Sequence, residues 1–342
     1  MEQPQHKRRV RYSGTHPKKF SEKYKEHNPE KYADTVAKVI SKGSTPAGMH
    51  ISIMVQEILD FLQIQPGQIG LDATLGYGGH SRRMLECLQG QGHLYGLDVD
   101  PIESAKTRER LASLGFGEDI MTVILENFAN IDQVAAAHGP FNFVLADLGV
   151  SSMQIDNPER GFSYKLDGPL DLRMNPLKGV SAAQRLKELT REEFVGMLIE
   201  NADEPYAEEI SRAVFKRGRV IETTTDLRQA IESALPKLSK DDVKKACQRT
   251  FQALRIDVNN EYEVLYDFLD KLPACLAPGA RVAILTFHSG EDRLVKKSFK
   301  QGLQQGIYSE IAEDVIRPSA AECAQNGRAR STKMRWAIKS EK

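Results

Sequence analysis

The stretch Ile69–Ser81, which reads IGLDATLGYGGHS, decides the fold of this 342-residue chain. A short apolar run ends in an acid, Asp72, and leads into a glycine-rich turn that includes Gly78 and Gly79, after which a helix is predicted to begin near His80. Glycine permits positive φ angles and close approach of the backbone to a ligand. The N-terminus of the following helix favours an anionic group. The stretch therefore predicts a strand, a ligand-binding turn and a helix.

The spacing of the glycines indicates which ligand the turn would accept. Gly76, Gly78 and Gly79 form a G-x-G-G pattern, which is neither the G-x-G-x-x-G of nicotinamide enzymes nor the pattern of phosphate loops. A nucleoside-like ligand without a pyrophosphate is therefore favoured. S-adenosyl-L-methionine fits, because its carboxylate takes the place of a phosphate. The alternative is a tight strand–helix turn that binds no ligand.

A second acidic position lies in Leu94–Pro101, which reads LYGLDVDP. Asp98 ends the next apolar run, 19 residues after Gly79. An acid about 20 residues beyond such a turn is placed to accept hydrogen bonds from ribose hydroxyls. Asp98 could instead cap the following helix, but Asp100, beside Pro101, suits that position better.

Short apolar runs alternate with helical stretches along the rest of the chain. The alternation predicts a Rossmann-like α/β fold, a mainly parallel sheet with helices on both faces. The predicted strands are Gln68–Thr74, His93–Asp98, Met121–Leu125, Phe141–Leu148 and Arg281–Phe287, with Lys333–Ile338 as a last strand at an edge. Residues 51–62 carry apolar side chains at helical spacing and predict an amphipathic helix.

The gap between the fourth and fifth runs is too long for one crossover helix. Ser151–Arg160 is loop-like, and residues 160–252 are mostly helical. We therefore predict a helical domain of residues 160–252, inserted into a domain of residues 50–159 and 253–342. The predicted helices are Arg191–Glu200, Tyr206–Lys216, Thr225–Leu235 and Asp241–Leu254. Capping pairs are predicted at Thr190 with Glu193 and at Ser239 with Asp242. A polar extension of residues 1–49 precedes the predicted methyltransferase domain. It ends in a linker, SKGSTPAG, at residues 41–48.

The segment Leu145–Pro176 is the most distinctive long motif. Asp147 lies at the end of the fourth strand, where catalytic groups of such sheets are found. The following loop is rich in glycine, proline and charge, as functional loops often are. Phe162 and Tyr164 are candidates for stacking on a flipped base. Basic candidates for holding phosphates are Arg160, Lys165 and Arg173. An ordered lid without substrate contacts is the alternative.

Two further positions have functional and structural interpretations. Phe128, after the third strand, could pack on an adenine, although its residue type alone favours a core position. His288 follows the fifth strand and is either part of the site or of a turn. A capping pair is predicted at Ser289 and Asp292.

Composition narrows the class of protein. The 47 basic and 47 acidic side chains cancel, but residues 1–49 carry a net charge of +6, residues 50–159 of −10 and residues 288–342 of +4. No apolar run is long enough to span a membrane and no secretory signal is found. The four cysteines are scattered, which predicts neither disulfides nor a metal site and favours a reducing cytoplasm. They are Cys87, Cys247, Cys275 and Cys323.

These motifs together resemble the bacterial small-subunit rRNA (cytosine-N4)-methyltransferases, the RsmH or MraW family. The matching pieces run in order from about His50 to Arg335: DATLGYGGHS, GLDVDP, DLGVSSMQ, ERGFSY, DGPLDLRM, FQALRIDVNNE, FHSGEDR and RARSTKMR. The resemblance implies an S-adenosyl-L-methionine-dependent methyltransferase domain with an inserted helical domain. The implied substrate is a cytidine in the decoding region of small-subunit (16S) rRNA. The implied cofactor contacts are Gly78, Gly79, His80, Asp98, Phe128, Asp147 and Gln154.

Three features depart from the family pattern. The common HSLED reads HSGED, with Gly290, and VSSPQ reads VSSMQ, with Met153. The extension of residues 1–49 is absent from the typical member. The extension indicates a sub-family or paralogue, which affects the identity of the substrate more than the chemistry.

The resemblance leaves the role of Asp147 open. As a hypothesis, its carboxylate is the catalytic acceptor that positions the cytosine amine, or else it binds only the cofactor. Methylation at carbon 5 fits less well, because it requires a cysteine nucleophile and none lies in the strand-end motifs. The rival functions are a DNA or small-molecule methyltransferase and a non-catalytic ribosome-assembly factor.

The basic ends of the chain are the candidate RNA contacts, with solvated tails as the alternative. The candidates are Lys7, Arg8, Arg9, Arg11, Lys18 and Lys19 in the extension and Arg328, Arg330, Lys333 and Arg335 near the C-terminus. The sequence does not give the oligomeric state, and a homodimer is one option.

Overall fold

One seven-stranded sheet organises the residues that the computed structural model describes, which are 52–216, 218 and 220–341. The strands are β1 (Ile69–Asp72), β2 (His93–Asp98), β3 (Met121–Leu125), β4 (Phe141–Asp147), β5 (Leu276–Thr286), β6 (Tyr308–Ile311) and β7 (Lys333–Lys339). Their order across the sheet is β3-β2-β1-β4-β5-β7-β6. The first five strands pair in parallel, and β7 runs antiparallel to both β5 and β6. The predicted Rossmann-like α/β fold is confirmed.

The central strands are apolar because helices cover both of their faces. Along β4, Phe143 and Leu145 pack into one apolar cluster, whereas Val144 and Ala146 pack into another. Successive side chains of a strand point to opposite faces, so the two clusters lie on the two sides of the sheet.

The helices before the helical region are α1 (Val55–Leu62), α2 (Gly79–Leu88), α3 (Pro101–Ser113), α4 (Ile131–His138) and α5 (Ser152–Asp156). Those after it are α11 (Glu261–Lys271), α12 (Ser289–Gln304) and α13 (Ala320–Gln325). Short 3-10 turns lie at Phe128–Asn130, Pro158–Arg160, Leu272–Cys275 and Gly327–Ser331. Among the described residues, no helix is both long and apolar enough to cross a membrane.

Between β4 and β5 lies a helical region with an apolar cluster of its own, built from residues between Phe162 and Leu254. Its helices are α6 (Ala182–Glu188), α7 (Arg191–Ala202), α8 (Ala207–Val214), α9 (Thr224–Ala234) and α10 (Lys240–Asn259). The predicted caps are confirmed: Thr190 and Glu193 form a capping box, and Ser239 accepts from the backbone of Asp242. The helix α10 continues through residue 252.

Three local predictions were wrong. The strand at Lys333–Lys339 is not an edge strand, because β6 pairs along its outer side, and β6 was too short and polar to be recognised. Part of Ser151–Arg160 is helical, since Ser151 forms a capping box with Gln154. The helix α12 is capped by His288 with Glu291, rather than by Ser289 with Asp292. The extension of residues 1–49 lies outside the described residues.

Candidate functional site at the carboxyl edge of the sheet

The strand register brings three acids to one edge of the sheet. Asp72, Asp98 and Asp147 are the last residues of β1, β2 and β4. Because these parallel strands are neighbours, their carboxyl ends open onto the same crevice, which is where open α/β sheets bind ligands. The −10 charge of residues 50–159 is thereby placed partly at the site.

The turn after β1 requires glycine at residue 78. Gly78 has a φ of 76° and precedes the first turn of α2. A Cβ at this position would lie 2.8 Å from Cγ2 of Thr107, closer than real Cβ contacts. The Thr107 hydroxyl also donates a 2.7 Å hydrogen bond to the carbonyl of Gly76. The helix α3 therefore packs against the glycine turn and fixes its shape.

Asp72 holds this turn together from inside. Its side chain is 1% exposed, and it accepts a 2.6 Å hydrogen bond from the hydroxyl of Ser81 and a 3.2 Å bond from the amide of Thr74. Burial raises the pKa of Asp72, although the Ser81 hydrogen bond and the charge of His80 oppose it. Both oxygens are engaged, so this acid supports the turn.

Asp98 lies at the end of β2 with part of its hydrogen-bonding capacity used. Its Oδ1 accepts a 2.8 Å hydrogen bond from the amide of Asp100. Burial raises the pKa of Asp98 to about 7, with the nearby charge of Asp100 adding to the effect. Asp100 itself caps α3, as the sequence predicts, by accepting from the amides of Ile102 and Glu103.

His80 and Asp147 meet across the crevice. The Nε2 of His80 lies 3.4 Å from Oδ2 of Asp147, an ion-pair separation longer than a good N–H···O hydrogen bond. Burial lowers the pKa of His80, but the nearby carboxylates of Asp147 and Asp72 outweigh it and raise the pKa. The backbone amide of Asp147 donates a 2.6 Å bond to Oγ1 of Thr74, which fixes the end of β4.

Two buried atoms at this edge lack a hydrogen-bond partner among the described residues: Nε2 of His80 and Oδ1 of Asp147. Buried polar groups in native proteins are generally hydrogen-bonded, and an exception needs an explanation. A bound ligand with polar groups would supply the missing partners. The crevice therefore fits a ligand that carries amines and hydroxyls.

Gln154 and Phe128 border the same edge from two sides. Gln154 donates a 3.1 Å hydrogen bond from Nε2 to Oδ2 of Asp100, next to Asp98. Phe128 begins the 3-10 turn after β3, and its half-buried ring meets Phe268 edge-on at 5.2 Å. The ring of Phe128 is thus partly held by the core, as its residue type suggests, and it lies beyond the end of β3.

The long loop after β4 differs from the expectation of a base-stacking surface. Phe162 is 8% exposed and belongs to the apolar cluster of the helical region. Tyr164 packs edge-on against Phe251 at 6.1 Å. Both rings pack into the core because the loop folds back onto α6–α10. The prediction that Phe162 stacks on a flipped base was therefore wrong. The packing of Tyr164 does not support the same prediction for that residue.

Two of the three cations of that loop are engaged internally. Arg160 is buried and donates to Oδ2 of Asp100 at 2.6 Å, whereas Arg173 makes a bidentate pair with Asp171 at 2.7 Å. The prediction that Arg160 holds a phosphate was therefore wrong, because its charge is neutralised below the surface. Lys165 is exposed.

Only part of the basic run near the C-terminus is available to contact RNA. Arg335 is 7% exposed and, with Lys333, pairs with Asp292 at 2.7 and 3.0 Å. The prediction of an RNA contact at Arg335 was wrong, because β7 places this side chain inside the fold. Arg328 pairs with Asp156, and Arg330 is exposed.

His288 belongs to a cluster with two acids that has metal-like ligand spacing, since single atoms of Glu261, His288 and Glu291 lie within 4.8 Å of one another. Glu261, however, is bound on both oxygens by Arg255 at 2.7 and 2.8 Å. His288 lies 3.1 Å from Glu291, whose pKa is lowered because the histidine and Arg255 outweigh the effect of burial. These contacts make the cluster an ion-pair network at the start of α12.

Tyr262 packs against the same turn of α12. A Cβ on Gly290 would overlap the hydroxyl of Tyr262, which donates a 3.1 Å hydrogen bond to the carbonyl of Asn201 in the helical region. The glycine that departs from the family pattern thus makes room for a tyrosine that joins α11 to α7.

The sequence analysis did not identify two residues that position others at the edge. Thr74 positions the backbone of Asp147, and Asp100 binds both Gln154 and Arg160 in addition to capping α3. Thr74 lies inside the quoted DATLG motif, so its place beside Asp72 was a usable signal. The partner of Arg160 lies 60 residues away and left no local pattern.

The sheet has an antiparallel seventh strand between the fifth and the sixth, and a glycine turn follows its first strand. These features define a Rossmann-like methyltransferase. The sequence profile of the MraW methylase family matches residues 47–340, so the chain belongs to that family. The predicted class of enzyme is confirmed, and so is S-adenosyl-L-methionine as its cofactor.

The relatives extend over nearly the whole chain. Ribosomal RNA small subunit methyltransferase H 1 of Lachnoclostridium phytofermentans is 69% identical and covers 99% of this chain and 94% of its own length. The protein of the same name from Agathobacter rectalis is 67% identical, over 99% of both chains. Ribosomal RNA small subunit methyltransferase H of Koribacter versatilis is 38% identical over 85% of this chain and 94% of its own. The first two matches include most of residues 1–49.

Proposed function

We propose that this protein transfers a methyl group from S-adenosyl-L-methionine to the exocyclic amine of a cytidine in the decoding region of small-subunit (16S) rRNA. The names of its relatives, small-subunit rRNA methyltransferases, support the substrate. The observation that carries the chemistry is Oδ1 of Asp147, a buried carboxylate oxygen without a partner at the ligand-binding edge among the described residues.

Asp147 suits the role of amine acceptor. The cytosine amine is a poor nucleophile because its lone pair is delocalised into the ring, and an acceptor for one amine hydrogen favours the pyramidal, attacking form. The 2.6 Å bond to Thr74 fixes the backbone of Asp147, which aids the alignment on which such transfers depend. Bound S-adenosyl-L-methionine supplies the electrophilic methyl group on its sulfonium.

His80 supports the acceptor electrostatically. Its raised pKa favours the imidazolium, which holds a positive charge 3.4 Å from Oδ2 of Asp147. Oδ1 of Asp147 is then left to bind the amine.

The residues proposed to contact the cofactor surround this point. They are Gly78, Gly79, His80, Asp98, Phe128, Asp147 and Gln154. Asp98 would accept from the ribose hydroxyls and Phe128 would pack on the adenine, and no metal ligand is proposed.

The cysteines support methylation at nitrogen over carbon 5. Carbon-5 methylation needs a thiolate nucleophile. Burial raises the pKa of Cys87, and that of Cys247 and of Cys275 to about 11, so these thiols are protonated near neutral pH. All four cysteines are free, which supports a reducing, cytoplasmic location.

Residues 50–159 and 253–342 are proposed to form the methyltransferase domain, and residues 160–252 an inserted helical domain. The separate apolar cluster of α6–α10 supports this division. The continuous helix α10 would then connect the two domains rigidly. The basic extension of residues 1–49 is proposed to contact RNA, and deleting residues 1–40 should weaken subunit binding and flatten its salt dependence.

The deciding experiment is transfer of labelled methyl from S-adenosyl-L-methionine to small ribosomal subunits from a strain lacking the enzyme. We expect label in one cytidine of the rRNA, mapped by nuclease digestion and mass spectrometry. Labelling of free DNA or small metabolites but not of rRNA would contradict the proposal. The Asp147→Asn protein serves as the control for contaminating activities.

A further inference from the structure

We propose that Asp100 is a positioning residue that couples cofactor binding at the sheet edge to the ordering of residues 171–175, the part of the long loop nearest the helical region. The proposal rests on the cofactor contacts proposed above for Asp98 and Gln154. It concerns a residue that those contacts do not include.

Asp100 lies between the two proposed contacts and is completely buried. Its amide donates to Oδ1 of Asp98 at 2.8 Å, and its Oδ2 accepts from Nε2 of Gln154 at 3.1 Å. A ligand that binds both Asp98 and Gln154 therefore fixes Asp100 from two directions.

The other bonds of Asp100 run away from the crevice. Its Oδ1 caps α3, whereas its Oδ2 accepts a 2.6 Å bond from Nη1 of Arg160. Hydrogen bonds to charged groups are roughly twice as strong as neutral ones, and this pair is excluded from water. The position of Asp100 therefore determines where the Arg160 guanidinium lies.

Arg160 passes this constraint to the loop. Its Nη2 donates to the carbonyls of Arg173 and Met174 at 3.0 and 2.8 Å. The amide of Met174 donates to Oδ1 of Asn259 at 2.7 Å, at the end of α10. Leu172 adopts a φ of 62°, a left-handed angle that a non-glycine residue keeps only when its surroundings hold it there.

The result is a continuous path of hydrogen bonds from the edge of β2 to the end of α10, buried at its centre and partly buried elsewhere. Each link is a hydrogen bond of 3.1 Å or shorter, and the two charges at its centre neutralise each other. Cofactor binding would stabilise one end of this path and, through Asp100, the loop at the other. Occupancy of the donor site would thereby order the loop that joins the sheet edge to the end of α10.

Two substitutions interrupt the path at its centre. Asp100→Asn leaves one acceptor oxygen, which cannot serve both the N-terminus of α3 and Arg160. Arg160→Gln keeps the cap but removes the bonds from the guanidinium. As a matched control, Asp292→Asn weakens another largely buried acid–arginine pair, with Arg335, that does not belong to the path.

The test is hydrogen exchange of the amides of residues 171–175 with and without S-adenosylhomocysteine, at saturation for each variant. We expect the ligand to slow exchange by at least about fivefold in the wild type and in Asp292→Asn, the lower end of typical coupling. In Asp100→Asn and Arg160→Gln the change should be less than about twofold. Equal protection in all four proteins, or none in the wild type, would overturn the proposal.

The affinity of each protein for small ribosomal subunits, measured with and without S-adenosylhomocysteine, separates this proposal from the function. A wild-type protein that does not bind subunits would contradict the proposed substrate while leaving the exchange result valid. If the wild type binds subunits, we expect S-adenosylhomocysteine to raise its affinity for them at least about fivefold. In Asp100→Asn the increase in affinity should be less than about twofold. Equal tightening in both would overturn the coupling.

Discussion

The carboxyl edge of the sheet and the loop of residues 157–180 are both rich in polar side chains, but they use them differently. At the edge, Nε2 of His80 and Oδ1 of Asp147 are buried without partners among the described residues. In the loop, Arg160 and Arg173 are bonded to Asp100 and Asp171. The loop also contains a buried atom without a partner among the described residues, the hydroxyl oxygen of Tyr164. The two regions therefore differ in whether their charged side chains are bonded within the protein, and not in residue type.

This difference gives the two regions different responses to mutation. A substitution at the edge should change binding or turnover with little change in stability. A substitution of a bonded loop residue should lower stability, because it leaves a buried charge without its partner. Four experiments test the distinction, from the largest expected effect to the smallest.

Asp147→Asn should reduce methyl transfer by about 10²–10⁴-fold, the range of a positioned proton acceptor. The free energy of unfolding should fall only modestly, because His80 loses the carboxylate that lies 3.4 Å from its Nε2 but can release its proton and stay neutral. Turnover and affinity for S-adenosyl-L-methionine are measured separately. A loss of affinity with unchanged turnover at saturating cofactor would contradict the acceptor role and assign Asp147 to cofactor binding alone.

Arg160→Met should lower the free energy of unfolding by about 3–5 kcal/mol, because it leaves the carboxylate of Asp100 buried and unpaired. Urea unfolding followed by circular dichroism measures the effect. Lys165→Met, at an exposed position in the same loop, is the control and should stay within about 0.5 kcal/mol. A decrease below about 1 kcal/mol for Arg160→Met would remove the contrast between the two regions.

Affinity for S-adenosyl-L-methionine should depend on pH through Asp98. With a pKa of about 7, its carboxyl group is protonated at lower pH and loses an acceptor for the ribose. Affinity should therefore fall by about tenfold per pH unit below about 7 and level off above about 8. Calorimetric titration from about pH 5.5 to about pH 8.5 checks this, and an Asp98→Asn protein with the same pH profile would show that another group is responsible.

The smallest effect is expected at the exposed cations of the loop, Lys165 and Lys178. Replacing both with Gln should weaken subunit binding and reduce the slope of log affinity against log salt by about 0.7–0.9 for each phosphate that is no longer neutralised. Lys300→Gln, at an exposed position on α12, serves as the control. An unchanged slope in the double variant would place the RNA-binding surface elsewhere.

The sequence predicts the sheet and its edge well because their signals are local. The strands β2 and β3 have the predicted bounds, and the glycine turn and the helix caps at Asp100, Thr190 and Ser239 depend on residues a few positions apart. Each of these features follows from a pattern of neighbouring residues.

The partners of the loop could not be predicted, because they are distant in sequence. The bond from Arg160 to Asp100 spans 60 residues, and that from Met174 to Asn259 spans 85. The strand β6 was missed because its pairing with β7 involves four residues with two exposed side chains. Long-range pairing determines which polar residues remain free, so it also determines which region is the site.

The fit of Tyr262 against Gly290 has a consequence for how this sequence can change. The family pattern has leucine where Gly290 lies, and a Cβ there would overlap the tyrosine hydroxyl. A larger side chain at position 290 therefore requires Tyr262 to move or to be replaced by a smaller residue. Packing thus constrains the order of substitution, because a change at position 262 makes room for a change at position 290.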